Sequence, residues 1–363
     1  MGESTSTSVP ASSPRASSPG AFSPRVLGTT GINLSLLGFG AAPIGNLYQP
    51  LNDEQAQTAV LSALRSGIRY FDTAPHYGFG LSETRLGHAL KVSQQDVVIS
   101  SKVGRVLVPT NSNASVRHGF ADTPPLEPVF DYTYDGVMRS FEASLKRLQV
   151  ERIDILLAHD LGPMTHGADH PETFREFMEG GYLAMNKLKA DGLVSAIGLG
   201  ANEWQICDAA LKHGDFDGFL LAGRYTLLEQ APCEHFLPLC ARRKTSVILG
   251  GPFNSGILAT GVKGALSGIN KQPLYYNYEP APQAIVDRVA ALESVCEEFS
   301  LPLAAAALQF PAAHPQICSV LAGLANHEQV ERAVQLMNSE IPAAFWDELR
   351  ARNLLHPAAP VPA

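Results

Sequence analysis

The chain has 363 residues, 45% of them hydrophobic and 17% charged, with a formal net charge of −8. That apolar share supports a large core, and the acidic balance argues against a nucleic-acid or anionic-membrane surface, since both reward clustered Lys and Arg. No apolar run is long enough to cross a bilayer. The five cysteines include no Cys-x-x-Cys pair, which points to reduced thiols in a cytoplasmic setting rather than a disulfide framework or a metal site.

Residues 1–24 are almost wholly Ser, Thr, Pro, Ala and Gly and are expected to form a disordered tail, with the folded domain over 25–363. Val26–Ile32 carries a Gly-bearing turn that predicts a small N-terminal hairpin. Leu34–Phe39 reads as a strand running into the loop Gly40-Ala41-Ala42-Pro43. A helix is expected over Glu54–Ser66, followed by a short buried strand that ends at Asp72. Tyr77 follows on a Gly-rich turn, and Ser82-Glu83 opens the next helix. Asp96–Lys102 reads as a strand and 104–133 as a long polar loop of the kind that often carries function. The helix Asp135–Leu148 has one apolar face, made by Val137, Phe141, Leu145 and Leu148. The strand Ile153–Ala158 ends at His159-Asp160.

Alternation continues through strands at Val194–Leu199, Gly218–Leu221, Ser246–Leu249 and Ile317–Leu321, with helices between and after them. An irregular insert over 257–279 carries Tyr275, Tyr276 and Tyr278, and an extra helix is expected over Pro342–Arg350. Eight strands, each followed by a helix, imply a parallel sheet with helical crossovers. With no second block of different character, the fold expected is α/β, a closed (β/α)8 TIM barrel with an N-terminal hairpin and an extra C-terminal helix.

Active sites of such barrels lie at the C-terminal ends of the strands. Asp72, Lys102 and His159 are expected at the ends of three successive strands, with Tyr77 in the loop after the first of them. Each has a bland alternative: helix cap, surface charge, hydrogen-bonded strand end, packed aromatic. Together, at matching positions, they favour proton transfer coupled to hydride transfer. A phenol has a pKa of about 10, and a neighbouring ammonium is expected to lower it. The aspartate would hold the ammonium, and the histidine would hydrogen-bond the reacting oxygen. Hydride needs a cofactor, because no side chain accepts one.

Phe71-Asp72-Thr73-Ala74, Tyr77-Gly78, Ser82-Glu83, Ser101-Lys102 and His159 resemble the motif pattern of the aldo-keto reductases in order and spacing. The resemblance implies a catalytic set of Asp72, Tyr77, Lys102 and His159 and a nicotinamide dinucleotide bound in extended form. Gly38-Phe39-Gly40-Ala41-Ala42-Pro43 has no third glycine in register for a Rossmann fingerprint, which agrees. Gly40-Ala41-Ala42-Pro43-Ile44-Gly45-Asn46-Leu47-Tyr48, Leu221–Leu228 and Ala305–Phe310 resemble the sugar-oxidising branch of the family. The activity implied is oxidation of an aldose C1 hemiacetal, of the L-fucose, L-galactose or D-arabinose type, to the lactone. The alternatives are a pyridoxal-oxidising dehydrogenase, an NADPH-dependent carbonyl reductase and a non-catalytic nucleotide-binding subunit.

The same resemblance places the cofactor. Asn202 is expected to hold the carboxamide, although its Ser neighbour is replaced by Ala201 and the usual Gln by Ala222. The ring-stacking aromatic falls at Gly250, with Phe253 as a substitute. Gly40, Gly251, Ser255 and Gly256 are expected along the cofactor, and Gly323, Asn326 and Gln329 at its adenosine end. Gly323 and Gln329 stand where NADP-preferring relatives carry Lys or Arg, which implies NAD, with Arg332 one turn on and NADP as the alternative. Tyr48 and His76 are expected to line a pocket for a small sugar substrate.

Overall fold

The computed structural model describes residues 20–266 and 273–362. Eight parallel strands close into a barrel in chain order: Leu37–Gly40, Tyr70–Asp72, Val98–Val103, Ile153–His159, Val194–Ala201, Gly218–Ala222, Ser246–Gly250 and Ile317–Gly323. The last strand pairs with the first, Gly323 opposite Gly40, so the sheet has no edge. Strands covered on both faces read as near-continuous apolar runs, and the fourth, Ile153-Asp154-Ile155-Leu156-Leu157-Ala158-His159, is of this kind. The main core lies between the barrel and its helices. A smaller cluster, including Tyr70, Leu157, Ile248 and Leu321, lies apart from it.

Helix ends follow local chemistry. Asn52 and Gln55 form a reciprocal capping box at the start of Asp53–Ser66, and Gly67, with φ of 99°, ends it. Thr133 caps Tyr134–Leu148 through the N–H of Gly136. The extra C-terminal helix spans Ala343–Ala351. The N-terminal hairpin is present, with Pro24–Val26 antiparallel to Asn33–Ser35.

Three expectations need amendment. Of the expected tail, residues 1–19 lie outside the described residues, but Ala21 is buried and is hydrogen-bonded to Asn338 and Leu37. Ordered chain therefore begins before residue 25. The segment 104–133 is not a loop. It folds as two antiparallel ribbons, Arg105–Pro109 with Leu126–Phe130 and Val116–Arg117 with Phe120–Ala121. Arg117 holds them together, donating to Thr123 Oγ1 and to the carbonyls of Pro124 and Leu126 and pairing with Glu127. The insert contains helices Ile257–Thr260 and Lys263–Leu266, then a hairpin of Tyr275–Tyr276 with Glu279–Pro280, while 267–272 lie outside the described residues. No described helix is long and apolar enough to cross a membrane.

Candidate active site

Parallel register sets the level of each functional group. Asp72 pairs with Ser100, and Lys102 with Leu157 one strand further on, while His159 ends the fourth strand. Lys102 is 1% exposed, and its Nζ donates to Asp72 Oδ2 at 2.7 Å and Oδ1 at 3.0 Å, to Thr73 O at 2.9 Å and to the Tyr77 hydroxyl at 3.1 Å. An ammonium out of water needs such a full set of acceptors. Burial works against its charge, but Asp72 and Tyr77 outweigh burial, and its pKa is raised. Asp72 is oriented in turn by Ser100, whose hydroxyl donates to Oδ1 at 2.7 Å. With its hydrogen so placed, Ser100 accepts from the Tyr70 hydroxyl at 2.9 Å.

Tyr77 is placed by backbone contact. Its loop packs on Gly45 so tightly that a Cβ at residue 78 would lie 2.2 Å from Gly45 O, and one at residue 45 would lie 2.8 Å from Tyr77 C. Gly78 also has φ of 63°. Two residues of the following helix act as clamps. Ser82 donates to Ala41 O at 2.7 Å. Arg85, 8% exposed, donates to Ile44 O, Asn46 Oδ1, Leu51 O and Asp53, fixing the loop that leads to Tyr48.

The expected lowering of the Tyr77 pKa is not met. Burial pushes the phenol up to about 12, against the opposing pull of Lys102, and Asp72 adds to the rise. The physical reason is burial of the phenol, and Asp72 beside it offsets the Lys102 ammonium that would favour phenolate. His159 stands edge-on to Tyr77, with ring centroids 5.9 Å apart at 86°. Burial first, then Arg105 and Lys102, hold it well below its ordinary value, so the imidazole is neutral. Arg105 Nη1 lies 3.0 Å from His159 Nδ1, and its Nη2 pairs with Asp160 at 2.8 Å.

His76 packs among Phe79, His118, Phe120 and His159. Burial and nearby cations bring its pKa to about 3, and its buried Nδ1 has no hydrogen-bond partner among the described residues. The tip of the smaller ribbon forms this aromatic wall: Leu47 bridges Phe120, and Tyr48 N donates to Gly119 O at 2.9 Å.

Beside the barrel mouth runs a groove of about 1050 Å³, at the upper end of the roughly 300–1,000 Å³ typical of ligand pockets. Gly251, Phe253, Ser255, Gly256, Gly323, Asn326 and Gln329 all line it, as does Tyr48. Gly40 instead pairs with Asp72 and Gly323 beneath the strand ends. The side-chain amide nitrogen of Asn202 donates to Asp160 Oδ1 at 3.1 Å, and its backbone carbonyl accepts from Arg224 Nε at 2.6 Å. This hydrogen bond to Asp160 orients the Asn202 side chain, and a sequence without contacts does not reveal it. Asn326 and Gln329 also cap the helix His327–Met337, accepting from Gln329 N and Ala325 N.

The groove suits an extended dinucleotide. Gly251, Asn254, Ser255 and Gly256 all have positive φ, and a Cβ at residue 256 would meet open space. A side chain at residue 323 would crowd Pro43, another wall residue, at 3.3 Å. One end is apolar, with Pro302, Leu303 and Leu336, and the N-terminus of His327–Met337 opens there. Glu328 lies in its first turn and Arg332 one turn on. Among the described residues no group of three or more His, Cys, Asp or Glu side chains is arranged for a metal ion.

Sequence reasoning brought together Asp72, Tyr77, Lys102 and His159, and missed Tyr70, Ser100 and Arg105. Ser100 had a weak signal, since it stands two residues before Lys102 on a strand and so shares its face.

A closed parallel barrel with a buried lysine–aspartate pair under a strand-end tyrosine, beside a dinucleotide-sized groove, defines a class of nicotinamide-dependent oxidoreductase. Residues 36–353 match the Aldo/keto reductase family, and the chain belongs to it. It is 41% identical to a pyridoxal 4-dehydrogenase of Microbacterium luteolum over 345 residues, covering 91% of this chain and 97% of that one. It is 36% identical to a D-threo-aldose 1-dehydrogenase of a Pseudomonas species, covering 90% and 96%. Among solved structures, an aldo-keto reductase of Bacillus halodurans in its holo form aligns with a TM-score of 0.67 at 25% identity, covering 92% and 96%.

Proposed function

We propose that this chain oxidises a cyclic hemiacetal to its lactone with NAD. The observation that carries this reading is the Tyr77 hydroxyl 3.1 Å from the buried Lys102 ammonium, beside a neutral His159 at the barrel mouth. The substrate hydroxyl sits between Tyr77 and His159. Tyr77, as phenolate, takes the hydroxyl proton, Lys102 stabilises the phenolate before transfer, and Asp72 keeps Lys102 charged and aimed. His159 donates to the same oxygen as it becomes a carbonyl. A bound nicotinamide supplies the hydride acceptor for the hydrogen on the reacting carbon. Gly251, Ser255, Gly256 and Gly323 would hold it along the groove, with Phe253 on the wall. One proton and one hydride leave, and the C–O single bond becomes C=O.

Two substrate classes share this chemistry. An aromatic hemiacetal such as that of pyridoxal is favoured by the wall of His76, His118 and Phe120 and by the 41% identity to a pyridoxal 4-dehydrogenase. It is favoured too by the polar groups at the mouth, since Asp160, Arg105, Asn202 and Arg224 are already paired with one another. The aldose reading is supported by the 36% identity to a D-threo-aldose 1-dehydrogenase. NAD over NADP is supported by Glu328 and Gln329 at the adenosine end, where a 2′-phosphate would need cationic partners.

Initial rates of NAD and NADP reduction with pyridoxal, L-fucose and D-arabinose, with the product identified as lactone or acid, test the proposal. The expected result is lactone formation with NAD. Turnover confined to open-chain aldehydes with NADPH would refute it.

A further inference from the structure

We propose that Arg105 is a positioning residue for this reaction, holding the His159 imidazole as the tautomer with its hydrogen on Nε2. The inference rests on the proposed role of His159 as donor to the reacting oxygen. Arg105 opens the larger ribbon, directly after the third barrel strand, and is 8% exposed. Its guanidinium donates through five N–H groups and accepts nothing. A ring nitrogen 3.0 Å from Nη1 must therefore offer a lone pair, and that nitrogen is Nδ1. In a neutral imidazole the single hydrogen then belongs to Nε2. Protonating Nδ1 as well would set N–H against N–H and bring two cations together.

The guanidinium is itself held in place. Asp160 Oδ2 accepts from Nη2 at 2.8 Å, and Asn202 in turn donates to Asp160 Oδ1 at 3.1 Å. Phe130 lies under the guanidinium, 4.7 Å from carbon to ring centroid. His159 Nε2 is 3.5 Å from Asp160 Oδ2, beyond a good hydrogen bond, so its hydrogen is left for a ligand. Tyr132 fixes the backbone, donating to His159 O at 2.5 Å. The other groups facing the ring are Lys102, His76 and Tyr77, and both Lys102 and His76 disfavour a second proton on it. The consequence is chemical. An Nε2 with a lone pair would repel the oxygen as its carbonyl character grows, whereas an Nε2 hydrogen stabilises it.

The test uses the full chain with isotope-labelled histidine, observing the His159 ring nitrogens by NMR, alongside pH profiles of turnover in the reduction direction, where Tyr77 is already protonated. In the wild type the hydrogen is expected on Nε2 from neutral pH down to pH 5. Arg105→Met should mix the tautomers, add an acid limb to the pH profile and lower kcat by about tenfold or more, with NAD affinity unchanged. Arg105→Lys, which keeps charge and a donor, should restore the flat acid side of the reduction profile. Asp160→Asn removes the ion pair but keeps the donor to Nδ1, so it should leave the tautomer unchanged. A wild-type hydrogen on Nδ1 would overturn the proposal, as would an Arg105→Met chain with unaltered tautomer and pH profile. If Arg105→Met fails to fold, the wild-type spectrum and Arg105→Lys still decide. The NMR measurement needs no substrate, so a chain that turns over no hemiacetal counts against the proposed function and not against the tautomer lock.

Discussion

Proton transfer to Tyr77 makes a strong quantitative demand. The phenol lies at about 12 because burial outweighs Lys102 and Asp72 offsets its charge. At pH 7 the phenolate is then about one part in 10⁵ of the enzyme, and at pH 10 about one part in 10². If phenolate is the base, kcat/KM for oxidation should rise about tenfold per pH unit, roughly a thousandfold from pH 7 to pH 10. Reduction uses the protonated form and should be level over the same range. Replacing Lys102 with Met removes an opposite charge that is worth roughly one to three pKa units. The rising limb should then shift to higher pH, so that oxidation at pH 9 falls by about 10- to 1,000-fold. The assay is kcat/KM for a hemiacetal carrying deuterium on the reacting carbon, compared with the protium form, so that the isotope effect reports when hydride transfer is being measured. An isotope-sensitive kcat/KM that stays level from pH 7 to pH 10 would refute Tyr77 phenolate as the base.

Three further outcomes follow from the same geometry. Gly200 lets the Lys102 stem pass, since a Cβ there would lie 3.2 Å from Lys102 Cε. Gly200→Val should displace the ammonium and lower kcat at least tenfold while NAD affinity, measured by fluorescence quenching, holds. His76 and His159 are kept neutral by burial, the first with a pKa of about 3. The unfolded chain takes up protons below about 6.5 that the folded chain refuses, so stability is full above that pH and falls beneath it. Each such histidine contributes a loss of up to about 1.4 kcal/mol per pH unit, and calorimetry between pH 7 and pH 5 should show a falling Tm. Glu328→Lys combined with Gln329→Arg should raise the NADP-to-NAD efficiency ratio by roughly tenfold to a hundredfold, a change of about 1.5–3 kcal/mol. An unmoved ratio would place the 2′-hydroxyl elsewhere.

How far the sequence carried the site depends on how local each cause is. A strand of the parallel barrel announces itself within six or seven residues, because both faces are buried and the run turns apolar. That is why Val98–Val103 and Ile153–His159 were legible, and why Lys102 and His159 fell at strand ends where chemistry belongs. Causes that span the chain were not legible. The ribbon of Arg105–Pro109 with Leu126–Phe130 pairs residues about twenty apart, joined to the smaller ribbon by Arg117, and no local pattern announces that pairing. The sign of the Tyr77 shift depended on a cancellation between Lys102 and Asp72 inside a dry pocket, which residue types alone do not set.

Asn202 and Arg105 make the same point from opposite sides. Asn202, where a cofactor contact is expected, donates to Asp160. Arg105 stood in a segment read only as a loop and reaches His159. The two meet at one carboxylate, Asp160, which accepts from both. Asn202 thus steadies the carboxylate that braces the arginine on His159. Asn202, Asp160, Arg105 and His159 form a single hydrogen-bonded chain at the barrel mouth.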